Sequence, residues 1–586
     1  MLAPRFDIPA CPAGEVQRLV RELGVSAALG QVLVRRGLGD PLRAHAFLAA
    51  EEEHPPHAFR GIEQAVELVL AHVRGGQRIT VHGDYDVDGI CSTAVLVRAL
   101  RRIGGDVDFY LPDRASDGYG LNASTVRRLA GRGTRLLVTV DCAITAVQEV
   151  AAASELGMRV LVTDHHAPRA DGVLPAAAIV HPALCGYPCR ELCATAVAYK
   201  LGQALLLATG RDASELCEDL DLVGLATVAD VVPLVGENRT LVRRGLKALA
   251  ATRKPGLRAL MAVAGVSPSS IGERALGFAL GPRLNAAGRL GRADAGLELM
   301  LTESPQRARE VAAELDRANG ERRQLERRIL FQAEAQLAQQ GERTAYVLAA
   351  EGWHAGVIGI VASRLSERHR RPVVLIALEE RRGRGSGRSI EGFDLLAGLR
   401  ACGEHLVRFG GHRAAAGIEI ERQQVGTFAS ALCAHAARVI AAEDMVAVER
   451  VDAVVGGDEL GMELAEELRT LAPFGRGNPP VSLMVAEASF HDCRPMGEGK
   501  HVRFTVHSRG ARTRAVAFGT GARLPVEEGV PVQATFALEV NEWGGIAEPR
   551  LVLRHAQPPA PVPVARLTAP HAHEEEQEEL VLFALP

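Results

Sequence analysis

Between residues 60 and 235, short apolar runs of strand length alternate with runs whose apolar residues recur three and four apart. The strand-like runs are RITVHGD, DVDFYLP, RLLVTVD, RVLVTDHH and AAAIVHP; the helix-like ones include the segment from Gly89 and TAVQEVAAASELG. That alternation predicts a parallel sheet covered by helices. Two amphipathic stretches, GEVQRLVRELG and ALGQVLVRRGL, mark residues 1–60 as a helical lead-in to this first α/β domain, which we place at 61–302. Residues 303–341 predict one long, charged helix with little continuous apolar face, read as a solvated connector. A second α/β domain is expected over 342–445: TAYVLAA, a helix in GVIGIVASRLSERH, PVVLIALEE, a Gly/Arg/Ser loop, a helix near 393–402, then FGGHRAAAGIEIE. Over 446–556 the pattern changes to short strands, VRFTVHS, TRAVAFG, VQATFALEV and PRLVLR, with Gly-rich turns, which predicts a small β-barrel. The remainder, 557–586, is Pro-rich and then acidic, and is expected to be mobile apart from VLFALP.

Composition narrows the class without choosing a function. Hydrophobic residues make up 47% of the 586-residue chain and charged ones 24%, with a formal net charge of −4. These values fit an ordinary globular protein and exclude a strongly basic nucleic-acid coat, so any polyanion site must be a local patch. No apolar run reaches membrane-spanning length, the opening MLAPRFDIPACPAGEV does not read as a secretory leader, and ten scattered cysteines suit a reducing cytoplasm. His181, Cys185, Cys189 and Cys193 recur every four residues, but Gly186 and Pro188 break the helix that would align them and no CxxC pair occurs there.

The chemistry concentrates in VHGDYDVDGICSTAVL, where Asp84, Asp86 and Asp88 stand between a strand-like run and a helix-like one. The opening matches a calcium-binding EF-hand loop, but the twelfth position, which should be a bidentate Glu, is Val95. Further acids and imidazoles end the neighbouring strands: His82, Asp141, and Asp164, His165 and His166. Asp230 adds a carboxylate within the apolar LVGLATVADVVPL. Open α/β sheets bind ligands at that edge, and unpaired carboxylates are costly to desolvate. Mixed carboxylate and imidazole donors suit Mn²⁺, Mg²⁺ or related ions. Four carboxylates would balance two such cations, which at about 3.5–4 Å apart can activate a water and neutralise a phosphoryl oxygen.

In this order, DYDVDG, VDCAIT, TDHHAP and ATVADVVPL resemble the four motifs of the DHH phosphoesterase superfamily. LNAAGRL, GWHAGVIGIVASRL, SGRSIEGFDL, FGGHRAAAG, PFGRGNPP and NEWGGIAEPRLVLR resemble its RecJ branch with the associated DHHA1 domain, so that the resemblance covers nearly the whole chain. It implies a single-stranded-DNA-specific exonuclease working 5′ to 3′ and releasing 5′-mononucleotides. The metal ligands it implies are His82, Asp86, Asp88, Asp141, His165 and Asp230, with Asp84 as a ligand or its neighbour and His166 acting on the scissile phosphate. Polarity requires a second site, since two metals cannot tell one strand end from the other. Ser386, Arg388, Ser389, Gly410, Gly411 and His412 are candidates, because glycines let N–H groups approach a phosphate and Arg binds it bidentately; Asn285 and Arg289 are placed with them. The β-rich module resembles an OB-fold, with Arg503, Phe504, Trp543 and Arg550 as candidates for strand binding. Family resemblance also suggests a cytoplasmic monomer in recombinational and mismatch repair, with single-strand-binding protein and a RecQ-type helicase as partners.

The chain departs from the family pattern at Ala143, where Gly is usual, and in LCATA, where Ala194 and Thr195 replace part of an LCGAG-like segment. Two rivals remain: a DHH phosphodiesterase for short oligonucleotides or cyclic dinucleotides, and a catalytically silent DNA-binding scaffold.

Overall fold

The computed structural model describes residues 4–113, 118, 120–169, 173–290, 292, 294–521, 523–543 and 546–559, so most of the tail expected at 557–586 lies outside the described residues. Two compact units result. One comprises Leu42–Val448 and Thr470–Pro480 with the first residues of the chain; the other comprises Phe6–Pro41, Glu449–Arg469 and the residues from Val481 onward.

The first unit opens with a five-stranded parallel sheet: β1 (Ile79–His82), β2 (Val107–Tyr110), β3 (Leu136–Val140), β4 (Arg159–Thr163) and β5 (Ala178–Val180), in the order β2-β1-β3-β4-β5. Every residue of β1 and β3 is buried, as the continuous apolar runs require when helices cover both faces. Three helices bear on the sheet's carboxyl edge: α1 (Val87–Arg102), α2 (Ala194–Ala208) and α3 (Leu220–Ala229). After α4 (Gly281–Leu290), the predicted connector appears as α5 (Pro305–Gln340), 36 residues long. It is more than a solvated rod. Ala308, Val311, Ala312 and Leu315 enter the core of the first sheet, whereas Ile329, Ala333 and Leu337 enter that of the second. Between them Glu326 is buried and held by Arg322 (2.9 Å) and Arg364 (2.7 Å).

The second sheet contains β6 (Tyr346–Glu351), β7 (Val373–Leu378), β8 (Arg382–Arg388), β9 (Arg408–Gly411) and β10 (Ala415–Glu421), ordered β9-β10-β8-β7-β6, with α6 (Ala355–His369) packed against it. The Gly/Arg/Ser segment expected as a loop is the central strand β8. Its glycines are the inward face: a Cβ at Gly383, Gly385 or Gly387 would lie 2.5, 2.5 or 2.8 Å from Ile376, Ile418 or Leu395. Neighbouring side chains already occupy that space, so Gly-Arg alternation here is strand periodicity.

In the second unit, β11 (Leu483–Met496), β12 (His501–Ser508), β13 (Ala511–Ala517), β14 (Val532–Trp543) and β15 (Ile546–Gln557) close into a barrel through the β11–β14 pairing. The N-terminal helices Ala13–Leu23 and Ala27–Arg35 belong to this unit rather than forming a separate lead-in. Arg36 clasps Asp452 with bonds of 3.0 and 2.9 Å, and Gln31 exchanges two hydrogen bonds with Val454. Phe504 requires a correction. It is 4% exposed and packs 4.7 Å from the Phe490 ring, inside the barrel, because alternation along β12 turns Val502, Phe504 and Val506 inward and leaves Arg503 on the surface.

Ala143 follows β3 with φ of 81°, a left-handed conformation that costs an L-residue about 1–2 kcal/mol and a glycine little. Extra freedom of glycine in the unfolded chain offsets about 0.4–1 kcal/mol of that. Ala143→Gly is therefore expected to stabilise the first unit by about 0.5–1 kcal/mol, read as a rise in its thermal or urea midpoint; a lower midpoint would contradict the strain argument.

Candidate metal centre

The DYDVDG segment is the turn from β1 into α1, and its acids act first on the backbone. Asp86 caps α1: its Oδ1 accepts from Asp88 N (3.0 Å) and Gly89 N (3.1 Å). Gly89 lets the turn fold onto the helix, since a Cβ there would lie 2.5 Å from the Asp84 backbone. Asn285, on α4, accepts from Val87 N at 3.0 Å and so fixes the same helix start. Asp88 faces a second helix N-terminus. Its Oδ2 accepts from Ala194 N (2.7 Å), and its Oδ1 from Thr195 N (2.8 Å) and Thr195 Oγ1 (2.6 Å). The departure at 195 thus adds a hydroxyl to the N–H groups and the dipole of α2.

Asp141 follows β3 with φ of 62°, and Asp230 caps the C-terminus of α3. His165 brings them together: its Nε2 makes no hydrogen bond but lies 3.2 Å from Asp141 Oδ1 and 3.6 Å from both Asp88 Oδ2 and Asp230 Oδ2. Asp164 points elsewhere, accepting from the N–H groups of Ile144, His165 and His166 and pairing at 2.8 Å with His166 Nδ1. It organises the loop that carries both histidines. His82 sits at the end of β1 with Nδ1 3.6 Å from Cys142 Sγ.

Crowding sets the electrostatics. Burial, followed by the charges of Asp88, Asp86, Asp84 and Asp230, holds the Asp141 carboxyl well above its usual range. Burial, Asp88 and Asp86 push Asp230 up to about 8, against the pull of His166 and Arg476. Burial also raises Asp86 and lowers His165. His166 goes the other way: burial opposes its charge, but the bond to Asp164 prevails and lifts it to about 9.

Three donor sets converge within 4.8 Å: Asp141, His165 and His166; Asp88, His165 and Asp230; and Asp84, Asp86 and Asp141. Together they interlock through Asp141 and His165. Oxygen and imidazole donors, buried carboxyls strained toward protonation, and an imidazole nitrogen aimed among them fit divalent Mn²⁺ or Mg²⁺ well. His82 is outside these sets. His181 is engaged with the backbone instead, Nε2 with His166 O (2.8 Å) and Nδ1 with the N–H groups of Ala183 and Leu184.

The remaining candidates fall in the second α/β domain and the barrel. Ser386 and Arg388 lie on β8, joined by a 3.1 Å bond, and α6 crosses closely enough that a Cβ on Gly359 would lie 2.9 Å from Ser386 Oγ. Ser389 donates to Phe393 O (2.8 Å), Gly410 and Gly411 end β9, and His412 begins the hairpin to β10. Arg289 donates to Gly356 O (2.9 Å), tying α4 to the start of α6. On the barrel, Arg503 is exposed and Arg550 pairs with Glu539 at 3.2 Å; Trp543 ends β14, and its side chain lies outside the described residues. Sequence reasoning gave no role to Asp164 or to the Thr195 hydroxyl. The adjacency of Asp164 to two histidines was a usable signal for the first; nothing in the sequence paired Thr195 with a residue 107 positions away.

Two measurements follow from this geometry. Thr195→Val should weaken Mn²⁺ binding by about 10–100-fold in calorimetric titration, as loss of a partner behind a metal-ligating carboxylate does, while Thr195→Ser keeps it. In the metal-free protein, Asp141 and Asp230 hold protons when folded that they lose when unfolded, where carboxyls titrate near about 4. Stability should then fall as pH rises toward about 8. His165, lowered instead, opposes this only below about pH 6.5. The rise in melting temperature on adding Mn²⁺ should accordingly be larger at about pH 8 than at about pH 6.

The modules that carry these residues occur in known proteins. Family models match in chain order: the DHH family N-terminal domain at residues 78–227, the DHHA1 domain at 342–437 and the RecJ OB domain at 451–555. The single-stranded-DNA-specific exonuclease RecJ of Bacillus subtilis is 36% identical over 565 residues, 94% of this chain and 70% of the relative. That of Escherichia coli is 35% identical over 533 residues, 86% of this chain and 91% of the relative. The crystal structure of RecJ in complex with Mn²⁺ from Thermus thermophilus superposes with a TM-score of 0.83 at 31% identity, covering 95% of this chain and 80% of that one; its counterpart with Mg²⁺ gives 0.77 at 29%. Carrying the three modules in order and aligning with these proteins over most of its length, the chain belongs to the RecJ family of single-stranded-DNA-specific exonucleases.

Proposed function

We propose that this protein degrades single-stranded DNA from the 5′ end by metal-dependent phosphodiester hydrolysis, releasing 5′-mononucleotides. The observation that carries the reading is the convergence of Asp84, Asp86, Asp88, Asp141, His165, His166 and Asp230 at one sheet edge. Asp86, Asp88, Asp141, His165 and Asp230 would hold two Mn²⁺ or Mg²⁺ ions, with Asp84 and His82 beside them. When bound, such ions supply charge neutralisation at the phosphoryl oxygens and a water acidified toward neutral pH. His166, with Nδ1 committed to Asp164, keeps a proton on Nε2 at neutral pH and can donate it to a phosphoryl oxygen or the departing 3′ oxygen.

Ser386, Arg388, Ser389, Gly410, Gly411 and His412 are assigned to the terminal nucleotide, which would set the polarity; Arg289 and Asn285 hold elements between that region and the metals. On the barrel, Arg503, Arg550 and Trp543 are assigned to the strand, with Phe504 kept to the core. The same reading places the protein as a monomer in the cytoplasm, cooperating with single-strand-binding protein and a RecQ-type helicase. No described helix is long and apolar enough to cross a membrane.

A time course with Mn²⁺ on a long single strand labelled at one end tests the proposal. A 5′ label should appear at once as mononucleotide while 3′-labelled strands shorten gradually, and Asp141→Ala should reduce the rate by about 10³-fold or more. Binding without cleavage would favour the silent scaffold, and cleavage confined to dinucleotides the short-substrate rival.

A further inference from the structure

The segment PFGRGNPP leaves the second unit and returns to the first, where it is fastened at several points. Arg239, only 1% exposed, directs its guanidinium to main-chain carbonyls: Phe47 O (2.9 Å), Leu471 O (2.7 Å) and Thr470 O (3.0 Å). The buried Asn478 amide bonds Leu471 O and Pro473 O, both at 2.8 Å. Arg476 itself is tied by its carbonyl to Leu234 N at 2.7 Å, four residues beyond Asp230. The flanking glycines let the strap lie flat: a Cβ at Gly475 would lie 2.8 Å from the Leu234 side chain, and Gly477, with φ of 75°, sits against Pro233.

All this fixes the backbone of a residue whose side chain is left outside. Arg476 is 61% exposed, and its ion pair with Glu191, itself 59% exposed, spans 3.7 Å; such a pair holds a guanidinium weakly. Nearby Val231, directly after Asp230, is 59% exposed and adopts φ of 59°, an uncommon conformation for a β-branched residue and one that tends to occur at functional sites. With His166, Arg476 is a cation whose charge reaches the Asp230 carboxyl.

We propose that Arg476 is a phosphate contact for the DNA strand at the rim of the metal centre, held in register with Asp230 by the strap. It supplies a fixed positive charge where the surrounding side chains are acidic, and its planar fork suits a phosphodiester. Glu191 occupies it until a strand arrives.

The proposal rests on the exonuclease reading, and the test separates the two. With Mn²⁺-loaded full-length protein and a single-stranded oligodeoxynucleotide, kcat/KM is measured over a range of salt concentrations. Arg476→Gln should lower kcat/KM about tenfold, through KM, and reduce the steepness of the log–log salt dependence by about 0.7, the share of one phosphate on a single strand. The Mn²⁺ concentration for half-activation should not change. Arg476→Lys should keep the slope, and Glu191→Gln should raise kcat/KM. An unchanged slope in Arg476→Gln, or a loss that appears in the Mn²⁺ requirement instead, overturns the proposal while wild-type cleavage leaves the parent reading standing. If the wild-type protein leaves single strands intact, the parent reading falls and takes the proposal with it.

Discussion

Everything at the sheet edge follows from placing several carboxylates closer together than their charges allow. Two helix N-termini make the arrangement tolerable: α1 begins at Asp86, and α2 presents Ala194 N and Thr195 N to Asp88. Both are fixed partial positive charges that no pH change removes. They hold the acids in place without neutralising them, and burial together with the residual repulsion keeps the Asp141 and Asp230 carboxyls raised. A site so arranged is preorganised for cations, because ordering the ligands has been settled by folding.

How much of this the sequence disclosed depended on how local each signal was. The first sheet was legible since each strand is a short apolar run, three of them followed closely by residues of the candidate metal centre, and β1 through β5 fall where the runs predicted. The barrel was legible from alternation alone, yet the same alternation, applied to VRFTVHS, would have assigned Phe504 to the core. Strand β8 was hidden because glycine carries no hydrophobic signal; its inward face consists of absent side chains. The strip on α5 was hidden by length, as half serves one core and half another and neither half is amphipathic enough to stand out among the charges.

The site divides in the same way. Residues adjacent in sequence, Asp84 to Asp88 and Asp164 to His166, were readable as clusters, whereas their supporting partners come from distant segments: Thr195 for Asp88, Asn285 for Val87, Gly356 for Arg289. Ala143 was recognised as an unusual residue at a turn, and its φ of 81° gives that departure a physical meaning, strain retained beside a residue of the metal centre. Reactive groups can be found by local pattern; what aims them requires the folded chain.

The strap at 470–480 has a consequence for how the protein is made. A buried guanidinium deprived of its carbonyl partners costs about 1–3 kcal/mol per lost bond, and two of those that satisfy Arg239 belong to Thr470 and Leu471. During synthesis, the sheet that carries the acids is translated more than two hundred residues before those carbonyls leave the ribosome. A nascent chain can therefore bury the first sheet before the carbonyls that satisfy Arg239, and the one that accepts from Leu234 N, have been made.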